Sequence, residues 1–376
     1  MRLGFDAKRL FNNFTGLGNY SRTLVSNLLD FHPDEEYYLY TPRTTSDPSV
    51  KRFLDNKSVT TYWPNTPFKS LWRAYSMTGQ LKKDRIDLYH GLSGEIPFGI
   101  PAGSMKTIVT VHDLIFLVYP ETYKPIDRFF YDRKFRSACS RADIVVAISS
   151  STKNDLIRFY GTDPERIKII YQACDPVFYS GPDSSVMKEV TDTYRLPANF
   201  LLYVGSIIER KNLTGIVKAI SILPKNLKIP LVVVGDGGSY KDETRRFISE
   251  VKLEESVIWI EDLHDSNRLK ALYNLSSAFL YPSLYEGFGI PVAEALLSRI
   301  PVLTSDKSSL PEAGGPGSYL VNPEEPEHIA HGIEKILTDT TLRDKMITEG
   351  YSYASEKFSP RITSEQMFRL YREILD

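Results

Sequence analysis

The sequence is poor in cysteine, with Cys139 and Cys174 the only two thiols in 376 residues. They do not form a Cys-x-x-Cys pair, which argues against a zinc framework, and so few thiols are typical of a reducing compartment. No apolar run reaches the ~18 residues of a membrane-spanning helix. The first residues lack the charged-then-apolar pattern of a secretory signal. We therefore expect a cytoplasmic protein.

Several catalytic motifs are also missing. No Asp-x-Asp sequence occurs, so a metal–diphosphate clamp of that type is not expected. The chain has no G-x-x-x-x-G-K-[ST] loop and no G-x-S-x-G turn, which argues against P-loop phosphoryl transfer and against an α/β-hydrolase. A net charge of −1 without a long block of Lys and Arg argues against nucleic-acid binding.

Thirteen short apolar runs, rich in Val, Ile and Tyr, alternate with segments of helical periodicity. Such runs are typical of parallel strands that are buried on both faces, so the pattern predicts a doubly wound α/β fold. A single core stops growing near ~250 residues, so two such sets predict two domains. The predicted strands are residues 2–7, 37–41, 59–63, 87–90, 107–112, 144–148, 167–172, 200–205, 231–235, 257–260, 278–281, 302–304 and 319–321.

The break between the two sets falls at residues 175–196. This stretch has no strand pattern and contains prolines and several serines, which predicts a linker with a short helix. The last element is a helix that Ser359 can cap and Pro360 can begin. That helix carries one apolar stripe and could pack on either domain.

The segment from Glu286 to Glu294 carries the strongest chemical signal. Gly287 and Gly289 follow a strand and permit close approach of the backbone to a ligand, and Pro291 suits the start of a helix. Ligands bind beyond the carboxyl ends of strands in open α/β sheets, and a helix N-terminus favours an anion. The two carboxylates would accept hydrogen bonds from hydroxyls. The alternative is an ordinary strand–loop–helix connection.

Arg210 and Lys211 form the second signal, following the strand that Gly205 closes. They precede a predicted helix, where cations oppose the helix dipole. The planar guanidinium of Arg210 beside the compact ammonium charge of Lys211 suits a diphosphate leaving group. The alternative is a solvated surface pair.

A weaker signal is the pair Gly16 and Gly18, which precedes a helix predicted over residues 20–29. It resembles the dinucleotide-binding pattern G-x-G-x-x-G, but Ser21 occupies the third glycine position. A flexible turn explains it equally well.

His112, followed by Asp113, ends another strand in the first half. A histidine at a strand end either contacts a ligand or is a hydrogen-bonded core residue. His90 has the same ambiguity.

Together these pieces resemble the family 4 glycosyltransferases, over nearly the whole chain and in the family's order. The resemblance implies the GT-B fold: α/β, with two Rossmann-like doubly wound domains facing across a cleft. It implies an N-terminal acceptor-binding domain of residues 1–175 plus 358–376, and a C-terminal nucleotide-sugar-binding domain of residues 176–357. The matching residues are Gly16 and Gly18, His112 and Asp113, Gly205 with Arg210 and Lys211, and Glu286 with Glu294.

The resemblance also implies a retaining transferase that needs neither a metal nor a cofactor besides its donor substrate. Arg210 and Lys211 would stabilise charge on the departing diphosphate, Glu286 would hold sugar hydroxyls, and Glu294 would bind the ribose. His112 would lie near the sugar. The implied catalytic residues are Arg210, Lys211, Glu286 and His112, and the implied donor-binding residues are Gly16, Gly18, Gly205, Gly287, Phe288, Gly289, Ile290 and Glu294.

Two segments, 111–123 and 281–296, look most like the mannosyltransferases of bacterial surface-polysaccharide and lipopolysaccharide synthesis. The resemblance therefore implies GDP-mannose as donor, with a UDP-sugar as the alternative. The acceptor would be a saccharide or a polyprenyl-linked saccharide. Residues 68–85 and 123–141 mix aromatic and basic side chains and would recognise this acceptor. The protein would then make peripheral contact with the inner face of the plasma membrane.

Other interpretations stay open at this point. A sugar-nucleotide epimerase or hydrolase could use the same architecture without an acceptor surface. An NAD-dependent dehydrogenase is disfavoured by the imperfect glycine pattern and by the lack of an acidic residue ending the second strand. An inactive binding module is disfavoured because the sequence retains all four charged residues of the candidate site: Arg210, Lys211, Glu286 and Glu294.

Overall fold

The chain forms two compact units. The computed structural model describes residues 1–101, 103–263 and 265–376. Unit 1 comprises Met1–Ala173 and Pro360–Asp376, and unit 2 comprises Cys174–Ser359. The stretch predicted as a linker is ordered: it holds a 3-10 turn at Pro176–Tyr179 and a helix at Ser184–Tyr194, both within unit 2.

Unit 1 is built on a seven-stranded parallel sheet, sheet 1, in the order β3-β2-β1-β4-β5-β6-β7. The order reverses between β1 and β4, and ligands bind at the carboxyl edge near such a reversal. The strands are β1 (Arg2–Asp6), β2 (Glu36–Tyr40), β3 (Val59–Tyr62), β4 (Leu88–Gly91), β5 (Lys106–Val111), β6 (Ile144–Ala147) and β7 (Ile167–Ile169).

Strand β7 is shorter than the predicted residues 167–172. It pairs on one side only, with Ile169 opposite Ala147, and Ala147 is the last residue of β6. Beyond that point the edge strand has no partner strand, so the ladder ends.

The helices of unit 1 cover sheet 1. Ser149 begins one of them: its hydroxyl accepts a hydrogen bond from the amide of Thr152 at 3.0 Å, which satisfies one of the backbone donors of the first turn. The α-helices lie at Lys8–Asn12, Gly16–Phe31, Lys51–Leu54, Lys69–Leu71, Met77–Lys83, Ile115–Val118, Pro125–Arg141, Ser150–Tyr160 and Pro360–Leu375.

Unit 2 repeats the design with a six-stranded parallel sheet, sheet 2, in the order β10-β9-β8-β11-β12-β13. Its order reverses between β8 and β11. The strands are β8 (Leu201–Val204), β9 (Leu231–Val234), β10 (Val257–Ile260), β11 (Ala278–Tyr281), β12 (Val302–Ser305) and β13 (Ser318–Val321).

The helices of unit 2 cover sheet 2. Asp265 begins one of them, because its carboxylate accepts hydrogen bonds from the amides of Asn267 and Arg268. The α-helices lie at Ser184–Tyr194, Leu213–Ile222, Ser239–Glu250, Ser266–Leu275, Ile290–Leu297, Leu310–Gly314, Pro326–Thr338 and Thr340–Lys357.

The terminal helix Pro360–Leu375 belongs to the core of unit 1. Its residues Met367, Leu370 and Tyr371 are buried in one apolar cluster with residues of β1 and of helix Gly16–Phe31. Of the two domains left open by the sequence, the helix therefore packs on the N-terminal one. Within the described part of the chain, no helix is long and apolar enough to cross a bilayer.

Candidate active site

Gly205 opens the candidate site at the carboxyl end of β8. Its φ is +151°, and a Cβ built on it would lie 2.9 Å from Nζ of Lys211. Glycine at this position therefore lets the lysine side chain lie directly against the backbone that leaves the strand. Arg210 and Lys211 follow in the 3-10 turn Glu209–Lys211, just before helix Leu213–Ile222.

Arg210, Lys211 and Glu286 meet at the reversal point of sheet 2. Nη1 of Arg210 lies 2.8 Å from Oε2 of Glu286, and Nζ of Lys211 lies 4.0 Å from Oε1 of the same carboxylate. Arg210 also donates to the carbonyl of Tyr285. The three side chains are only 11% to 13% exposed. We call Arg210, Lys211, Glu286 and Tyr281 the charged cluster.

Tyr281, the last residue of β11, connects the other members of the charged cluster. Nζ of Lys211 donates to the Tyr281 hydroxyl at 2.8 Å, and that hydroxyl donates to Oε1 of Glu286 at 3.0 Å. Burial, and then the charge of Glu286, raise the pKa of Tyr281 well above its ordinary value, so the phenol keeps its proton. The tyrosine thus holds the ammonium and the carboxylate in one fixed arrangement.

The charged cluster keeps Glu286 ionised. Burial raises the pKa of this carboxyl, but the charges of Lys211 and Arg210 and the hydrogen bonds from Arg210 and Tyr281 outweigh it and hold the pKa below its ordinary value. Burial lowers the pKa of Lys211, and Glu286 opposes that change. The site therefore presents a buried carboxylate that can accept hydrogen bonds, beside two cations that can bind an anion.

The loop after Glu286 is held by two serines. Oγ of Ser309 donates to the carbonyls of Glu286 and Phe288, at 2.9 and 2.8 Å, and Oγ of Ser308 accepts from the Glu286 amide at 3.0 Å. The Phe288 side chain is buried against Phe358, with ring centroids 5.1 Å apart, so this side chain belongs to the packed interior of unit 2.

Gly289 begins helix Ile290–Leu297 in a backbone conformation that favours glycine. Its φ is +119°, and an added Cβ would lie 2.8 Å from Cδ2 of Leu310. The loop predicted from Gly287 to Ile290 therefore reaches a helix N-terminus at the carboxyl edge of sheet 2.

Glu294 lies in that helix with its own partner. Its Oε2 accepts a hydrogen bond from the Tyr273 hydroxyl at 3.2 Å. Burial raises the pKa of Glu294 to about 8, a hydrogen bond from Tyr273 opposes this, and the nearby Asp175 adds to it. Glu286 and Glu294 therefore differ in charge at neutral pH: the first is ionised and the second holds a proton.

In unit 1, Gly16 and Gly18 lie inside a helix, and the prediction that the helix starts near residue 20 is wrong. The helix begins at Gly16, after the N-cap residue Thr15. The side-chain oxygen of Asn13 accepts from the amides of Thr15 and Gly18, at 3.1 and 3.0 Å, and so pairs one donor of the first turn. A Cβ at Gly18 would lie 1.7 Å from the Asn13 carbonyl oxygen, whereas one at Gly16 would meet no atom within 4 Å. Gly18 thus serves the local fold, and only Gly16 borders open space.

His112 is a buried, neutral histidine. Its Nε2 lies 2.9 Å from the carbonyl oxygen of Leu92 and so carries the proton, while Nδ1 lies 3.2 Å from the amide nitrogen of Gln172. Burial lowers its pKa to about 4. His90 is a core residue whose ring nitrogens contact the hydroxyls of Tyr371 and Thr110, at 2.7 and 2.8 Å.

Sequence reasoning missed the hydroxyl groups that order the candidate site. No role in the site is predicted from the sequence for Tyr281, Ser308, Ser309 or Tyr273. The position of Tyr281, at the last residue of a strand that leads into the predicted site, was a signal that could have found it.

Two family models match the chain. The model for glycosyl transferases group 1 matches residues 193–353, and the model for glycosyltransferase family 4 matches residues 14–178. The first lies within unit 2, and the second lies almost wholly within unit 1.

The chain is also similar to two named mannosyltransferases. It is 26% identical over 389 residues to the O-antigen chain mannosyltransferase B of Escherichia coli, covering 99% of this chain and 100% of the relative. It is 34% identical over 291 residues to the serotype-specific mannosyltransferase WbdA of Escherichia coli, covering 73% of this chain. The matched region spans 34% of WbdA, which is a longer protein.

A solved structure supports the fold. The crystal structure of Anabaena HepE in complex with UDP-glucose superposes with a TM-score of 0.77 at 17% identity, covering 99% of this chain and 100% of that chain. The predicted fold class, GT-B, is thereby confirmed, whereas the alternative of an epimerase or hydrolase finds no support in these comparisons. The chain is therefore a glycosyltransferase enzyme with a glycosyltransferase family 4 domain in its first half and a glycosyl transferases group 1 domain in its second half.

Proposed function

We propose that the chain transfers mannose from GDP-mannose to a saccharide acceptor in surface-polysaccharide synthesis, with retention of the anomeric configuration. The charged cluster at the carboxyl edge of sheet 2 is the observation that carries the chemistry. The choice of mannose rests on the similarity to two mannosyltransferases.

Arg210 and Lys211 would act on the leaving group. When the bond between the sugar and the diphosphate breaks, negative charge develops on the diphosphate oxygen. Two cations already fixed near that oxygen stabilise the transition state without reorganising, and one such group is typically worth about 10²- to 10³-fold in kcat. The hydrogen bonds of Tyr281 and Glu286 fix them before the substrate arrives.

Glu286 would hold hydroxyl groups of the transferred sugar, because an ionised carboxylate is a strong acceptor of hydrogen bonds. Glu294 would bind the ribose. The amides of the loop from Gly287 to Ile290 would surround the sugar and the phosphate. Gly205 would let the backbone approach the donor.

In unit 1, we propose that Gly16 and Gly18 approach the phosphates and that His112 contacts the sugar. The open space beside Gly16 favours the first of these roles. His112 would act as a neutral group, because its pKa lies near 4.

The anomeric configuration would be retained because the acceptor attacks the anomeric carbon from the same face that the diphosphate leaves. The acceptor oxygen bonds to the anomeric carbon as the carbon–oxygen bond to the diphosphate breaks. The acceptor proton passes to the departing phosphate oxygen. This route differs from the carboxylate nucleophile of retaining glycosidases.

Thermal unfolding in the presence of GDP-, UDP-, ADP- and CMP-sugars tests the donor. A donor at about 100 times its Kd stabilises the protein by about 2.7 kcal/mol. We expect stabilisation by GDP-mannose, with free mannose as the control. Stabilisation by a UDP-sugar alone would overturn the donor, and no stabilisation by any nucleotide sugar would overturn the proposed function.

We also propose a polyprenyl-linked saccharide as acceptor, with peripheral contact between unit 1 and the membrane. Ile126, Phe129 and Phe130 lie on one face of helix Pro125–Arg141 and are 59%, 54% and 53% exposed. Arg133 lies over the Phe129 ring at 5.8 Å. Exposed aromatic residues beside cations suit an anionic lipid surface.

Flotation with vesicles tests this contact. Binding should be stronger to vesicles with anionic lipid than to neutral ones, and the double change Phe129→Ser and Phe130→Ser should weaken it. Phe31→Ser, at another exposed phenylalanine of unit 1, is the matched control. Equal binding of the double variant and the control would refute the membrane contact.

A further inference from the structure

A cavity of about 230 Å³ lies at the carboxyl edge of sheet 1, wholly within unit 1. It adjoins the reversal between β1 and β4: Asp6, the last residue of β1, and Glu95, in the loop after β4, both line it. Part of its wall comes from segments 69–77 and 134–141, which belong to the two aromatic and basic stretches expected to bind the acceptor. The reversal point is where a doubly wound sheet binds its ligand.

The polar side of the cavity is a network of ion pairs. Arg73 pairs with Asp6, with Nε of Arg73 3.2 Å from Oδ1 of Asp6. Nη1 of Arg73 lies 2.7 Å from Oε2 of Glu95. Lys134 lies 3.7 Å from the same Glu95 oxygen. Asp6 is 1% exposed, whereas the Glu95 side chain is 25% exposed. Glu95 is therefore the carboxylate that a ligand can reach, and Arg73 fixes its position.

The opposite side is apolar and includes an aromatic ring. Phe98 lines the cavity together with Leu71 and Met77. Arg141 supports this wall: it lies over the Phe98 ring at 4.7 Å, and its Nη1 donates to the Pro97 carbonyl at 2.7 Å.

The Tyr89 hydroxyl adds a second sign of a ligand. Tyr89 is fully buried and lines the cavity, yet its hydroxyl has no hydrogen-bond partner in the described part of the chain. Buried polar groups are normally paired, and an unpaired one marks a place where a ligand or water completes the structure.

We propose that this cavity binds one sugar residue of the acceptor, as an uncharged ring. A sugar ring offers an apolar face to Phe98 and hydroxyl groups to Glu95, Lys134 and Tyr89. The volume lies below the ~300–1,000 Å³ of pockets for larger ligands, so it suits a single ring. Five cations line the wall beside the two carboxylates: Arg73 and Lys134 pair with those carboxylates, Arg141 lies over Phe98, and Lys8 and Lys69 complete the set. An anion is therefore the competing ligand, and inorganic pyrophosphate is the probe that distinguishes it from a sugar ring. The inference rests on the proposed transferase function and adds to it the place where unit 1 recognises its acceptor.

Met77 provides a reporter that needs neither the donor nor the natural acceptor. It lines the cavity, is 1% exposed, and is one of only six methionines in the chain. With ¹³C-labelled methionine methyl groups, methyl α-mannoside should shift the Met77 resonance in the full-length protein. The Met346 resonance, from the core of unit 2, should stay fixed. A single ring makes few contacts, so we expect a Kd on the order of millimolar.

Two variants test the contacts. Glu95→Gln removes the charge, and Phe98→Leu removes the ring but keeps the ion pairs; each should raise the Kd at least about fivefold. Glu121→Gln, at an exposed carboxylate of unit 1 outside the cavity, should bind methyl α-mannoside with the same Kd as the original protein. The Met105 and Met346 resonances show whether each variant is folded.

The outcomes separate this inference from the proposed function. A Met77 shift that both variants weaken supports the sugar site. A Met77 shift with inorganic pyrophosphate but none with the glycoside would overturn it in favour of an anion site, and no shift with either probe would overturn it outright. Failure of the proposed function would show separately, as the absence of stabilisation by nucleotide sugars.

Discussion

The guanidinium of Arg210 lies 2.8 Å from the carboxylate of Glu286, and both side chains are nearly buried. They come from loops after β8 and β11, two strands that are far apart in sequence but adjacent in sheet 2. Separating a buried ion pair costs free energy, because each charge is left without a partner. Each residue therefore holds the other in place. The pair is therefore organised before any substrate binds, and this leads to a first prediction.

Replacing Lys211 with alanine should abolish most activity without unfolding the protein. The change removes the ammonium group that would stabilise the leaving diphosphate, so kcat should fall about 10²- to 10³-fold. Steady-state transfer from GDP-mannose measures kcat, and circular dichroism checks the fold. Lys225→Ala, at an exposed lysine of unit 2, is the control. Unchanged turnover in Lys211→Ala would refute the catalytic role.

The two glycines of unit 1 should respond differently to alanine. Gly18→Ala places a Cβ 1.7 Å from the Asn13 carbonyl oxygen, so we expect a loss of stability of at least about 2 kcal/mol. Gly16→Ala adds its methyl group to open space, so stability should be unchanged or slightly higher. Urea unfolding measures both effects.

If Gly16 borders the donor phosphates, as proposed, Gly16→Ala should also raise the KM for the donor. A stable Gly16→Ala enzyme with an unaltered donor KM would leave Gly16 with no role beyond the helix. The comparison thus separates a glycine that the fold requires from one that the ligand requires.

Glu294 should make unit 2 less stable as the pH rises. Its pKa is about 8 in the folded state, against an ordinary value of 4.5. Below pH 4.5 the group is protonated in both states; between pH 4.5 and about 8 the unfolded state releases the proton first, so stability falls.

Glu294→Gln should remove that fall. Between pH 5 and 8, its free energy of unfolding should decline less than that of the original protein by at least about 1.4 kcal/mol, the equivalent of one pKa unit. Urea unfolding at the two pH values measures this, with Glu255→Gln, at an exposed carboxylate, as the control. Parallel pH profiles for all three proteins would contradict the raised pKa.

Tyr371 should anchor the terminal helix to unit 1 through His90. The hydroxyl lies 2.7 Å from Nδ1 of His90, and both residues are fully buried. Tyr371→Phe leaves that nitrogen without a partner, which should lower the free energy of unfolding by about 1–3 kcal/mol. Tyr75→Phe, at a tyrosine that is 58% exposed, should change it little. Equal stability of the two variants would show that packing alone holds the helix.

Much of the fold could be predicted from the sequence because parallel strands buried on both faces leave an unambiguous pattern. All four residues of β8 and of β11 are buried, and both appear as continuous apolar runs. The start of the helix at Gly16 was not predicted, because Asn13, which pairs the Gly18 amide of its first turn, lies outside the apolar periodicity.

The candidate site was only partly predictable. Adjacent residues such as Arg210 and Lys211 are visible in one segment. The position of Tyr281 at the end of β11 indicates only that it lies near the site. Its hydrogen bonds to Lys211 and Glu286 depend on the folded structure and could not be predicted. Asp6, Arg73 and Glu95 are far apart in sequence, and only the topology of sheet 1 brings them to one cavity.

The terminal helix has a consequence for how the chain is made. Residues 1–173 leave the ribosome first, but the core of unit 1 includes Met367, Leu370 and Tyr371, which follow the whole of unit 2. At about 5–20 residues per second, the intervening residues take about 10 to 40 s to synthesise. During that interval the apolar groove that receives the helix is exposed, and the Nδ1 atom of His90 lacks its tyrosine. Unit 1 therefore completes its folding after unit 2 has been synthesised, although its strands are made first.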